Sequence, residues 1–165
     1  MPINFNLILK KLEEILIEKK LKLSVCESCT GGLLSKVCTD FSGSSKWFLG
    51  GIVAYSNNFK ETIGVKTETL NKYGSVSSQV AKEMADSTLL LINSDICLSI
   101  TGIAGPGGST INKPVGVIFY AFSSKFGYSS HKKFIFNGLR EDIRNLAAEK
   151  GIQIILDCVS NINTQ

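Results

Sequence analysis

The alternation of apolar and polar residues divides the chain into helices and strands. The first twenty residues, MPINFNLILKKLEEILIEKK, carry apolar side chains at helical spacing between charged ones, which predicts a helix over about 4–20. Short apolar runs bounded by turn-forming residues are typical of strands. They predict strands over about 22–27, 50–55, 95–101, 116–124 and 129–136. The remaining periodic segments predict helices over about 30–40, 57–64, 67–73, 78–92 and 139–158.

The same spacing predicts which side chains face the core. In the N-terminal helix the apolar residues that recur at this spacing are Phe5, Ile8, Leu9, Leu12, Ile15 and Leu16. The helix over 78–92 is expected to begin after Ser77 as its N-cap and to bury Val80, Ala81, Met84 and Ala85. The last helix is expected to bury Ile143, Leu146, Ala147, Ile154 and Ile155.

The order of these elements predicts the fold. Strands alternate with helices and are followed by a hairpin around Gly127. This order favours an α/β protein, a three-layer α/β/α sandwich with a mixed β-sheet. At 165 residues one domain over 1–165 is the expectation.

Three polar or glycine-rich turns follow the first three predicted strands. They read ESCTGG (27–32), YSNNFK (55–60) and TGIAGPGG (101–108). Ligands of open α/β sheets bind beyond the carboxyl ends of the strands. We therefore expect these turns to form one site at one edge of the sheet.

Composition and charge exclude several classes of protein. The apolar fraction is 44% and the charged fraction 19%, as in globular rather than disordered chains. A net charge of +4 with scattered lysines does not favour a nucleic-acid binder, which more often carries a dense basic stripe. No apolar run approaches the roughly 18 residues of a membrane span, and the N-terminus does not resemble a signal peptide. A soluble, cytoplasmic protein is expected.

Five cysteines raise the question of metal or redox chemistry. Cys26 and Cys29 form a C-x-x-C, but no second such motif exists and His131 is the only histidine. Four-coordinate zinc needs more ligands than these, so no metal is expected. Opposite orientation of Cys26 and Cys29 on a strand would also prevent their joint action. Buried, reduced cysteines are the expectation, with a dithiol as the alternative.

Two of the turns contain features typical of anion sites. The glycines of 101–110 permit close approach of backbone N–H groups to an oxyanion or phosphate, although a merely flexible turn has the same composition. ESCTGG opens a helix, whose N-terminus favours negative charge. There Ser28 or Thr30 would either serve the site or cap the helix, and Glu27 would either orient a neighbour or be paired.

A serine nucleophile would need a base. His131 lies in a polar hairpin strand and is expected at the surface, which leaves lysine. Lys60 follows the hydroxyls of Ser44, Ser45 and Tyr55 within a short span. At its ordinary pKa only roughly one lysine in 2,500 is neutral at pH 7. Lys60 would therefore have to be desolvated to act as a base; the alternative is a solvated helix lysine.

Taken together, five segments resemble the CinA C-terminal domain family, the nicotinamide-nucleotide amidases. They are ESCTGGLLS, SGSSKWFLGGIVAYSNNFKETIGV, YGSVSSQVAKEMA, SITGIAGPGG and KPVGVIFYAF. They occur in the family order and cover roughly residues 5–158. Larger family members carry an additional N-terminal domain, so the resemblance is to the stand-alone form.

The resemblance implies hydrolysis of the carboxamide of nicotinamide mononucleotide to nicotinate mononucleotide and ammonia, with no cofactor. It implies a serine–lysine mechanism with Ser45 as nucleophile and Lys60 as base. Ser28 and Tyr55 match positions that support the pair or relay the proton. The choice between Ser45 and Ser28 as nucleophile stays open at this point.

The chemistry of this reaction indicates where the substrate would bind. Backbone N–H groups of GSS or CTGG would face the oxyanion, and the glycine-rich loop with Arg140 would hold the 5′-phosphate. The substrate-binding residues are expected to be Thr30, Gly31, Gly102, Gly105, Gly107 and Arg140. Leu139 stands where the family commonly has an acidic residue. Without that residue the orientation of Arg140 is left open. Cys26 replaces a common alanine.

Two other functions remain alternatives. One is a non-catalytic nucleotide-binding or interaction module, which the altered Leu139 favours. The other is a hydrolase that depends on Cys29. The expected partner is a small nucleotide, with no nucleic acid and no membrane, and the chain is expected to form a homodimer because C₂ symmetry is the commonest.

Overall fold

A computed structural model describes residues 5–162. The helices are α1 (Phe5–Glu18), α2 (Leu33–Thr39), α3 (Asn57–Thr62), α4 (Thr67–Tyr73), α5 (Ser78–Ile92) and α6 (Arg140–Val159). The strands are β1 (Leu23–Glu27), β2 (Phe48–Val53), β3 (Ile96–Gly102), β4 (Val117–Ser124) and β5 (Ser129–Ile135). Every element predicted from the sequence is present with small shifts at its ends; residue 4, at the predicted start of α1, lies outside the described residues.

The strands form one mixed sheet in the order β2-β1-β3-β4-β5. β1 runs parallel to both β2 and β3, whereas β3, β4 and β5 are successively antiparallel. The predicted mixed sheet and the predicted hairpin are therefore confirmed. Because β1, β2 and β3 are parallel, their carboxyl ends lie at the same edge.

Helices cover both faces of the sheet, so the predicted α/β/α sandwich is confirmed. On one face, α1, α2 and α6 pack on the main core through residues such as Leu12, Leu34 and Ile143. On the other face, Met84 and Ala81 of α5 pack against the sheet in two smaller clusters. Alternation along the strands supplies side chains to both faces.

Most of the predicted core positions are buried. Val80, Ala81, Met84 and Ala85 of α5 are buried, and the Ser77 hydroxyl accepts the Val80 N–H as the N-cap. Leu9, Leu12 and Leu16 are buried, whereas Ile8 and Ile15 are partly buried. The side chain of Phe5 lies outside the described residues.

Leu146 was wrongly expected in the core, since it is 39% exposed. The buried stripe of α6 is centred on Ala147 and Gly151. Leu146 precedes Ala147 by one residue, which turns it roughly 100° around the helix and away from the sheet.

Candidate active site

A cavity of about 270 Å³ lies at the carboxyl ends of the three parallel strands. All three predicted turns contribute to its wall, together with the segment before α5 and the start of α6. The lining residues are Ser28, Cys29, Tyr55, Lys60, Ser75, Val76, Thr101, Gly102, Ile103, Ala104, Gly105, Gly107, Gly108 and Arg140. The prediction that these turns meet at one site is confirmed.

The turn after β1 is built around the buried carboxylate of Glu27. This carboxylate accepts the backbone N–H groups of Gly32 and Leu34, both at 3.0 Å, and that of Ser35 at 2.8 Å. It also accepts the Ser35 hydroxyl at 2.7 Å. Glu27 thus satisfies the N-terminal donors of α2, and neither Ser28 nor Thr30 has to cap the helix.

Ser28 and Lys60 form a hydrogen-bonded pair in the cavity wall. The Nζ of Lys60 lies 3.0 Å from the Oγ of Ser28, and Lys60 is only 1% exposed. Burial lowers the pKa of Lys60 from its ordinary value of 10.5, because a low-dielectric environment disfavours the charged amine. Lys60 is therefore the desolvated lysine that a serine nucleophile requires.

Two main-chain carbonyls orient the amine of Lys60. Its Nζ donates to Ala54 O at 2.8 Å and to Tyr55 O at 2.9 Å. A neutral amine has two N–H bonds and one lone pair. When both N–H bonds are directed at the carbonyls, the lone pair faces the Ser28 hydroxyl. The arrangement can thus accept the serine proton.

Ser45 lies far from this pair, contrary to its predicted role as the partner of Lys60. It is an exposed residue of the 3₁₀ turn Ser44–Lys46, just before β2. The Leu23 N–H donates to Trp47 O, which places this turn at the amino ends of β1 and β2. The six residues of β2 span about 20 Å. Within one chain, Ser45 and Lys60 therefore lie at opposite edges of the sheet.

Tyr55 and Arg140 lie at the mouth of the cavity. Arg140 Nη1 donates to Gly105 O at 2.6 Å, and its Nη2 donates to the Tyr55 hydroxyl at 3.3 Å. Tyr55 is 62% exposed, so its ring lies at the rim while its carbonyl holds Lys60. These contacts orient Arg140 without the acidic neighbour that Leu139 replaces.

The predicted substrate-binding glycines divide into two groups. Gly102, Gly105 and Gly107 line the cavity, as expected. A Cβ on Gly102 would lie 2.6 Å from Val117 O, so packing against β4 already requires this glycine. A Cβ on Gly107 would meet no atom within 4 Å, which leaves that position open to a ligand. Gly31 does not line the cavity.

Thr30 also lies outside the cavity lining. Its hydroxyl is buried and has no hydrogen-bond partner among residues 5–162. The prediction that Thr30 binds substrate through its side chain is not supported by this position. Its main-chain carbonyl accepts a hydrogen bond from Arg144 Nη2 at 2.8 Å and one from the Leu33 N–H at 3.3 Å.

The cysteines are free and buried. Cys26 packs in a core cluster on one face of the sheet, and Cys29 packs in the main core on the other face. Cys29 also lines the cavity, but burial raises the pKa of its thiol to about 12. A thiol with this pKa supplies almost no thiolate at neutral pH. Residues 5–162 contain no cluster of three potential metal ligands.

Sequence reasoning assigned no role to Ser75 or Arg144. The Ser75 carbonyl accepts the Thr101 hydroxyl at 2.8 Å, which joins the segment before α5 to the glycine-rich loop. Its only sequence signal is its place in the family-like segment YGSVSSQVAKEMA. Arg144 donates to the carbonyls of the turn that follows Ser28, a contact that its position in α6 does not reveal.

Comparison with known proteins identifies the family of this fold and site. The model of the CinA C-terminal domain matches residues 6–159. The chain belongs to the CinA C-terminal domain family. Among curated relatives, a CinA-like protein of Leptospira interrogans is 43% identical over 149 residues, covering 90% of this chain and 36% of the relative. A CinA-like protein of Syntrophomonas wolfei is 47% identical over 135 residues, covering 81% of this chain and 32% of the relative.

Solved structures of the CinA family have the same fold. A CinA superfamily protein from Klebsiella pneumoniae superposes with a TM-score of 0.92 at 26% identity, covering 96% of this chain and 99% of that one. A competence/damage-inducible protein from Agrobacterium tumefaciens gives 0.91 at 32% identity, covering 96% and 97%. This chain therefore corresponds to about a third of the Leptospira and Syntrophomonas relatives and to nearly the whole of these solved chains. No helix among residues 5–162 has the length and apolar character to cross a membrane.

Proposed function

We propose that this CinA C-terminal domain is a serine–lysine amidase that hydrolyses the carboxamide of nicotinamide mononucleotide to nicotinate mononucleotide and ammonia. The observation that carries the proposal is the buried Lys60 amine, 3.0 Å from the Ser28 hydroxyl in the cavity wall. This pair makes Ser28 the proposed nucleophile in place of Ser45. The substrate follows from the family resemblance.

In the first half of the reaction, Ser28 becomes acylated. Its Oγ forms a bond to the carboxamide carbon while its proton passes to Lys60, and the carbonyl electron pair moves onto the oxygen. The tetrahedral intermediate then collapses. The C–N bond breaks as Lys60 returns the proton to the leaving nitrogen, so that ammonia departs without carrying a negative charge.

In the second half, water hydrolyses the nicotinoyl ester on Ser28. Lys60 accepts a proton from the attacking water, and the new intermediate breaks the bond to Oγ. Lys60 then returns that proton to Ser28, which restores the hydroxyl and releases the carboxylic acid. The sum consumes one water for each amide, and no redox step or metal is required.

The cavity mouth offers a place for the 5′-phosphate. The guanidinium of Arg140 is held at the rim by Gly105 O and the Tyr55 hydroxyl, and forked donors suit phosphate oxygens. The open position at Gly107 allows close approach of the loop backbone to an anion. We therefore place the phosphate between Arg140 and the 101–108 loop, with the carboxamide near Ser28.

The test is ammonia release from nicotinamide mononucleotide by the purified chain without added metal. The wild type should release ammonia and nicotinate mononucleotide in equal amounts. Ser28→Ala should lower kcat/KM by at least roughly 1,000-fold, because it removes the nucleophile. Lys60→Met should lower it by at least roughly 100-fold, the scale of a missing general base.

Ser45→Ala is the matched control, because Ser45 lies at the other edge of the sheet. It should retain wild-type turnover. Turnover that survives Ser28→Ala but is lost in Ser45→Ala would refute the Ser28–Lys60 pair. Binding of the nucleotide without ammonia release would favour the non-catalytic module. Cys29→Ala with wild-type turnover would exclude the cysteine mechanism.

A further inference from the structure

Arg144 of α6 holds the turn that follows Ser28. Its Nε donates to Cys29 O at 3.1 Å and its Nη2 donates to Thr30 O at 2.8 Å. Among residues 5–162 Arg144 forms no ion pair with a carboxylate. The guanidinium of Arg144 thus donates its hydrogen bonds to two main-chain carbonyls of the turn that carries the proposed nucleophile.

The turn fits closely against this guanidinium. Gly31 has a φ of +61°, and a Cβ there would lie 3.2 Å from Arg144 Nη2. On its other side, the Glu27 carboxylate accepts the N–H groups of Gly32, Leu34 and Ser35. The turn is therefore fixed between a cation and an anion, each bonded to its main chain.

Two N–H groups of the turn remain available. The Ser28 N–H donates to Ile100 O and the Gly31 N–H donates to Ser28 O. Those of Cys29 and Thr30, between them, donate to no main-chain oxygen of residues 5–162. Cys29 itself lines the cavity. Both donors are therefore available to an acceptor supplied by a substrate.

Peptide planarity connects Arg144 to one of these donors. In a trans peptide the C=O and the following N–H point in opposite directions. Since Arg144 holds the Cys29 carbonyl, it also turns the Thr30 N–H to the opposite side. The Ser28 carbonyl, engaged by Gly31, fixes the Cys29 N–H in the same way. An oxyanion site commonly includes the N–H of the residue after the nucleophile.

We propose that Arg144 is a positioning residue for the oxyanion formed at Ser28. Its bond to the Cys29 carbonyl presents the Thr30 N–H to that oxyanion. Its bond to the Thr30 carbonyl holds the Gly31 peptide, whose N–H binds the Ser28 carbonyl and so fixes the Cys29 N–H. This inference rests on the proposed serine mechanism. Arg144 itself touches no reacting atom. Its loss should slow acyl transfer while leaving substrate binding unchanged.

The test compares Arg144→Met and Arg144→Lys with Lys150→Met, a control that removes another cation from α6 where Lys150 stacks on Phe134. Arg144→Met should lower kcat by about 100-fold, the scale of a lost oxyanion donor, with KM within threefold of wild type. Arg144→Lys should retain more activity, because an ammonium can still donate to both carbonyls. Lys150→Met should match wild type.

Added guanidinium chloride provides a readout that a merely structural role would not move. A cavity of about 310 Å³ lies beside Arg144, lined also by Leu33, Arg140, Glu141 and Asn145. Arg144→Ala should extend this cavity into the space that the arginine occupied, and millimolar guanidinium should then restore part of its kcat. Wild-type kcat in Arg144→Met would overturn the proposal. A variant that loses kcat in proportion to a fall in its melting temperature, and that guanidinium does not rescue, would also overturn it.

A second substrate separates this proposal from the amidase proposal. p-Nitrophenyl acetate should acylate Ser28, as mass spectrometry of the peptide would record, and Arg144→Met should slow that acylation by a similar factor. A wild type that acylates but releases no ammonia refutes the proposed substrate only, and the acylation rates then decide the role of Arg144. A wild type that does neither refutes both.

Discussion

At the scale of single residues, Lys60 has the least expected environment. Its segment, NNFKET, is polar and typical of a solvated helix, yet Lys60 is among the largest fully buried side chains. The resemblance identified Lys60 as a base, but its burial depends on α3 packing at the ends of β1 and β2, which local sequence does not specify. Sequence spacing also did not decide between Ser45 and Ser28 as the partner of Lys60. The six residues of β2 lie between Ser45 and Lys60 and place Ser45 at the opposite edge of the sheet.

The lowered pKa of Lys60 predicts how activity depends on pH. Since the neutral amine is the base, kcat/KM should rise tenfold per pH unit below the folded-state pKa of Lys60 and level off above it. The midpoint should lie below the ordinary 10.5. A pH profile of ammonia release measures this midpoint. A profile with no such rise in the wild type would contradict the role of Lys60 as base.

The same shift predicts a difference in stability. Between the folded-state pKa of Lys60 and 10.5, the unfolded chain binds a proton that the native chain has released. The free energy of unfolding should therefore rise with pH across this window. Below the folded-state pKa the contribution of Lys60 is at its lowest. Lys60→Met should lack this rise, as urea unfolding at several pH values would record.

At the scale of elements, α2 begins in an unusual way. Its N-terminal donors are satisfied by Glu27, which lies in the preceding strand rather than at the N-cap position. Sequence rules look for a serine, threonine, aspartate or asparagine beside the helix, so they found the Ser77 cap of α5 but not Glu27. The element boundaries were well predicted because periodicity and turn residues are local features of the sequence. A cap that reaches across a turn, such as Glu27, is not a local feature and was not predicted.

Two caps can be compared directly. Glu27→Gln removes the charge and sets an amide NH₂ against backbone donors, so it should lower the free energy of unfolding by about 2–3 kcal/mol. Ser77→Ala removes an ordinary cap and should cost about 1 kcal/mol. Urea unfolding measures both. Only Glu27→Gln should also lower kcat, since its turn carries Ser28. An equal loss of stability in the two variants would contradict the central role of Glu27.

At the scale of the whole molecule, the sheet has two parts with different tasks. The parallel strands β2, β1 and β3 bring three turns to one edge and so build the cavity. The antiparallel β4 and β5 complete the sheet, and the buried Ile118, Tyr120 and Phe122 of β4 supply much of its core. Alternation of strands and helices predicted this plan, because parallel strands joined by helices must end at the same edge.

The expected homodimer remains a prediction. β2 is an edge strand, and its Leu49 and Val53 are 45% and 42% exposed. An unprotected apolar edge favours pairing with another chain. Sedimentation velocity should give twice the chain mass of 17.9 kDa. Leu49→Lys should shift the protein to the single mass. A single mass for the wild type at tens of micromolar would contradict the prediction.

The two carbonyls that hold Lys60 have a consequence for the sequence changes that this segment tolerates. Every amino acid supplies a main-chain carbonyl, so replacing the side chain at 54 or 55 does not delete an acceptor of the amine. An insertion or deletion between β2 and α3 would remove these acceptors, because it moves both carbonyls relative to the Nζ of Lys60. As far as the acceptors of the Lys60 amine are concerned, selection on this segment should therefore act on its length more strictly than on its composition.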